Sequence, residues 1–111
     1  MSNELVSDAD VQKALDFLRD NAAKIGMAKR NAVKAEHMLK HTKAMAMKLS
    51  GVSGVSAQER EAYCSEQYVT AIDLCANAAG EYEEMKAYRE AAAAKIEAWR
   101  SASANYRAMK I

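Results

Sequence analysis

A seven-residue run, Ser50-Gly51-Val52-Ser53-Gly54-Val55-Ser56, interrupts a sequence that otherwise reads as helix for tens of residues on either side. The chain contains no proline, so no other stretch competes with this one as a helix breaker. Glycines at 51 and 54 permit the backbone angles of a tight reversal. The pattern therefore predicts an all-α fold: a long antiparallel helical hairpin, with helices over 8–49 and 57–109 joined by a turn over 50–56, in a single domain 1–111.

Local signals mark where the helices begin. Ser7 with Asp10 three residues on reads as a helix start, with Val6 packing on Val11, and Ser56 with Glu59 reads as a capping box for the second helix. In the first helix, Val11, Leu15, Leu18, Ala22 and Ile25 follow alternating four- and three-residue steps, continued by Ala28, Ala32, Ala35, Leu39, Thr42, Ala46 and Leu49. The second helix offers Tyr68, Ile72, Cys75, Ala79, Tyr82, Met85, Ala92, Ile96, Trp99 and Tyr106. A seam near 3.5 residues per turn implies gentle left-handed supercoiling. Asn77 and Gly80 are weak helix formers, and a kink or a third helix after Gly80 is an alternative.

Folding about residue 53 sets Leu18 beside Tyr88, Val11 beside Ile96, Gly26 across from Gly80, and Trp99 against the Leu5-Val6 lead. That register also pairs blocks of opposite charge. Residues 24–48 carry seven bases and one acid, and they lie beside Glu59, Glu61, Glu66, Asp73 and Glu81; the basic tail lies beside Glu4, Asp8 and Asp10. Exposed pairs contribute only about 0.2–1 kcal/mol each, so they select alignment more than they stabilise it.

Two hairpin helices leave apolar surface in water, and much of the apolar content here is alanine. Pairing of two copies into a four-helix bundle or coiled coil would cover that surface, with the strip Met27, Met38 and Met45 at the oligomer interface; a groove for a foreign helix is the other use of such a strip.

At 100° per residue, Arg30, Lys34, His37, His41 and Lys48 fall in one narrow band roughly opposite the later apolar stripe, while Lys40 and Lys43 flank the seam. Such a band can follow phosphates without reading bases, so Arg30, Lys34, Lys40, His41, Lys43 and Lys48 are the candidate nucleic-acid contacts. The net charge of +1, the acids on the facing helix and the lack of an aromatic within the band speak for a solvated face or an acidic protein partner instead.

Catalysis finds little support in the residues. His37 and His41 stand four apart, as two zinc ligands on a helix would, but no third ligand accompanies them, and Met38 occupies the place a zincin glutamate would take. Glu81, Glu83 and Glu84 read as a solvated face, and Gly51-Val-Ser-Gly54 lacks the lysine of a phosphate loop. Cys64 and Cys75, eleven apart on one helix, are about 16 Å from each other and read as small core residues. We expect no enzyme activity, no metal and no cofactor. Without a signal peptide, a long apolar span or a disulfide framework, a cytoplasmic setting with no membrane contact is expected.

In layout, a short chain of two long alanine- and charge-rich helices about a Gly/Ser turn at 50–56 resembles the small helical-hairpin accessory proteins of bacteriophage and prophage recombination and replication modules. The resemblance implies a non-catalytic interaction role, with DNA or a host or phage protein as partner, and homodimers or higher oligomers. An adaptor or inhibitor of a host protein without nucleic-acid binding is the alternative; a metal-binding or enzymatic protein is the second.

Overall fold

The computed structural model describes residues 6–109, which form three helices and no strand. Helix α1 spans Asp8–Leu49, α2 spans Val55–Tyr63, and α3 spans Glu66–Met109. The fold is an all-α helical hairpin. The helix expected over 57–109 is two helices: the break lies at Cys64-Ser65, and α3 runs unbroken through Asn77 and Gly80.

The serine at 65 explains the position of the break. Its hydroxyl donates to the Ala62 carbonyl (2.7 Å) and accepts the Tyr68 amide (3.2 Å), so one side chain closes α2 and caps α3. Ser56 does not cap α2 as expected. Gly54 occupies the N-cap with no side-chain hydrogen bond, and Glu59 turns instead to Lys43 at 3.9 Å. In the turn, Gly51 (φ 74°) and Gly54 (φ 91°) take left-handed angles that a side chain would strain. Ser50 donates to the Met47 carbonyl (2.9 Å), and the Gln58 amide side chain donates to the Val52 carbonyl (3.1 Å).

The chain divides into two compact units. Unit one comprises Met1–Ile25 and Glu84–Ile111. Its α1 segment starts with the expected reciprocal cap: Ser7 Oγ accepts the Asp10 amide and the Asp10 carboxylate accepts the Ser7 amide, both at 3.1 Å. These bonds, the Ser7 backbone amide foremost, hold the Asp10 carboxyl below the usual carboxylate range. The seam consists of Val11, Ala14, Leu18, Asn21 and Ile25 against Met85, Ala92, Ile96 and Trp99. Ala14 and Asn21 stand where Leu15 and Ala22 were expected, and Leu15 is 46% exposed. The small Ala14 side chain lets the backbones come close and leaves the bulkier leucine on the flank. Trp99 Nε1 donates to Asp8 (2.7 Å), and the Phe17 and Tyr88 rings meet edge to face at 6.2 Å, close to the expected register. The expected contacts with Glu4 and Leu5 lie outside the described residues.

Unit two, Gly26–Glu83, holds the turn and α2. Ala28, Ala32, Ala35, Leu39, Thr42 and Ala46 line the seam from α1; Tyr68, Ala71, Cys75, Ala78 and Tyr82 line it from α3. Ala71 and Ala78 replace the expected Ile72 and Ala79, again the smaller or better-phased neighbour, and Leu49 is 76% exposed rather than part of the stripe. Ala62 of α2 is completely buried. Gly26 and Gly80 do not face each other across the seam as expected: both are exposed, and a Cβ on either would meet nothing within 4 Å. Charge pairing between elements is also sparser than expected, since Lys43–Glu59 is the single such ion pair among the described residues. Cations instead lie over rings: Lys29 sits 4.9 Å from the Tyr82 centroid and Lys43 4.6 Å from that of Tyr63.

Candidate interaction surface

A helix with a 3.5-residue seam turns its other positions outward at fixed angles, and in unit two that rule gives three strips, two of them on α1 and one on the returning helices. The first is basic. Arg30, Lys34, His37, Lys40, His41 and Lys48 are all exposed, and none is in an ion pair among the described residues. Arg30 reaches only the Met27 sulfur, at 3.9 Å.

Lys43 differs from the other candidate contacts. It is half-buried at the flank of the seam, where its ammonium donates to the Tyr63 hydroxyl at 2.8 Å and approaches Glu59. The Tyr63 hydrogen bond, more than the nearby charges, raises the lysine above its ordinary value. Its cation is thus spent on holding α2 against α1. Nothing in the spacing of Lys43 distinguished it from Lys40, because Tyr63 comes from a helix whose separate existence was not foreseen.

The second strip is Met27, Met38 and Met45, 48%, 46% and 40% exposed. The structure adds to it. A groove of about 820 Å³ opens beside Met45, floored by Ala46 and Ala71, walled by Leu49 and Leu74, and edged by His41 on one side and Glu61 and Glu66 on the other. Leu74, Glu61 and Glu66 joined no expected site. Leu74 sits two residues past the expected seam position Ile72, and only the corrected seam through Ala71 and Cys75 turns it toward the groove.

The third strip is the acidic exterior of α2 and α3, with Glu61, Glu66, Asp73, Glu81 and Glu83 exposed. Unit two is therefore polarised across its width, basic on α1 and acidic on the returning helices.

Among the described residues, no group of three or more histidine, cysteine, aspartate or glutamate side chains is placed to hold a metal ion. Cys64 stands in the break after α2 as an exposed thiol rather than a core residue, and Cys75 is half-buried in α3, so the two cysteines do not share a helix. Among the described residues, no helix is long and apolar enough to cross a membrane. In comparisons with known proteins, no family model matches the sequence, and no curated protein or solved structure is similar to it.

Proposed function

We propose that the chain is a non-catalytic helical interaction protein that contacts nucleic acid through the outward face of α1, as an accessory factor in DNA-associated processes. One observation carries this reading: four cations and two imidazoles stand exposed along 19 consecutive residues of one helix with no acid drawn against them among the described residues. From Arg30 to Lys48 the face extends about 27 Å at 1.5 Å per residue, roughly the axial length of eight base pairs at 3.4 Å each. No aromatic side chain interrupts it, so contact is with phosphates and independent of base sequence. The layout resemblance to phage accessory hairpins supports the same setting.

Binding of this kind is weak and salt-dependent. With four to five phosphates neutralised, the logarithm of the binding constant falls with that of the salt concentration at a slope of about −4. A mobility-shift titration with single- and double-stranded DNA at graded salt tests the reading. The native chain should shift DNA at low salt, and a variant carrying Arg30→Glu, Lys34→Glu and Lys40→Glu should not. Equal behaviour of the two proteins, or no shift at the lowest salt, removes nucleic acid as the partner.

A further inference from the structure

The chain closes one flank of the unit-two seam with its own residues: α2 brings Tyr63 and Glu59 onto Lys43. The other flank is the open groove, where Met45, Leu49 and Leu74 stand 40%, 76% and 62% exposed around an alanine floor. Met38, seven residues before Met45 and so on the same face, lengthens it. The two rims differ in sign. On α1 the rim is His41, with Lys34 and Lys48 seven residues to either side; across the groove it is Glu61 and Glu66, continued by Glu81 seven residues beyond Leu74.

We propose that the groove is the docking site for a second copy of this chain, seated groove to groove across a two-fold axis that runs along the helices. Two isologous arrangements could bury the methionines and leucines, and charge decides between them. An axis perpendicular to the helices lays α1 on α1, cation against cation. With the axis along the helices, α1 of each copy lies over the acidic rim of the other, and every residue keeps its own level. Because Lys43 is level with Tyr63, His41 then lies within one residue of the level of Glu66 of the second copy, and Lys48 within about one helical turn of its Glu61. A partner bearing one sign of charge would complement one rim and oppose the other; a second copy complements both. Methionine adapts its shape to such a repeated surface. Arg30 and Lys40 stay outside this contact, whereas Lys34, His41 and Lys48 belong both to this rim and to the face of the nucleic-acid reading, so the two readings are separated by measuring pairing in the absence of DNA.

Sedimentation velocity on the full chain tests the pairing. The native protein should be dimeric well below about 200 µM, and Met45→Glu with Leu74→Glu should raise the dissociation constant at least tenfold while far-ultraviolet circular dichroism shows the helices kept. A mixing experiment then tests the axis. One variant carries His41→Glu and Lys48→Glu, the other Glu61→Lys and Glu66→Lys. Each alone should dissociate roughly tenfold more readily, and an equimolar mixture should recover to within about threefold of the native value, because every altered rim then faces its complement. A change confined to one chain's own fold is not rescued by mixing. The proposal is overturned by a native monomer at about 200 µM, by a dimer indifferent to Met45→Glu and Leu74→Glu, or by a mixture that stays dissociated.

Discussion

Ser65 does the work of two caps with one hydroxyl, and the position of α3 depends on it. Without it, the Tyr68 amide loses its partner, while the Ala62 carbonyl keeps the Ser65 backbone amide at 3.1 Å. Ser65→Ala is therefore expected to cost about 1 kcal/mol, the typical value for a lost N-cap. Urea denaturation should show the loss, Ser65→Asp should recover most of it, and an unchanged midpoint would mean that packing around Ala62 sets the break. Asp10 gives a comparable test at the other cap. Its carboxyl is held below the ordinary value of 3.8 in the folded chain, so its contribution is present above that value and disappears as the pH falls through the lower folded one. The difference in stability between the native chain and Asp10→Asn should accordingly be present at about pH 6 and vanish in strong acid. A difference that persists at low pH would mean that the substitution acts through something other than the charge.

At the scale of the helices, the seam explains which expectations held. Ile25, Ala28, Ala32, Ala35, Leu39 and Thr42 were legible because three- and four-residue steps leave no choice of phase there. Near the ends, Leu15 and Ile72 looked like better seam residues than Ala14 and Ala71 because transfer energy favours the larger side chain. Helices in close approach favour the smaller one, and pairwise distance is not visible in a single helical pattern. The basic face was legible, since exposure follows from the angle around α1 alone; the groove was not, since Leu74, Glu61 and Glu66 come to it from two other helices. The glycines follow the same logic. Gly26 and Gly80 lie within helices with open space around them, so Gly26→Ala and Gly80→Ala should each stabilise by about 0.5–1 kcal/mol. Gly51→Ala and Gly54→Ala, at left-handed angles, should each destabilise by about 1–2 kcal/mol. Urea midpoints at constant slope separate the two classes, and a destabilising Gly26→Ala would reveal a neighbour packed against that face.

For the whole molecule, the decisive quantity is how little one copy can bury. Ala62 apart, the buried core among the described residues consists of Val11, Ile25 and a few alanines, while Leu15, Met38, Met45, Leu49, Ile72 and Leu74 remain 40–76% exposed. Alanine contributes little transfer energy per side chain, so a hairpin of this composition gains much of its remaining stability from whatever covers the exposed leucines and methionines. If that cover is a second copy, folding and pairing are linked, and the unfolding temperature must depend on protein concentration. A hundredfold increase in concentration adds up to about 2.7 kcal/mol of apparent stability, and for a chain of this size each kcal/mol moves the midpoint by roughly 4 °C. Thermal scans over that range should therefore climb by about 5–10 °C for the native chain and remain level for Met45→Glu with Leu74→Glu. The net charge of +1 sharpens the comparison, because no overall repulsion opposes association and added salt acts mainly on the complementary rims. Raising the ionic strength should flatten the native curve toward that of the variant, whereas a native midpoint independent of concentration at every salt level means that one copy is stable with its groove open.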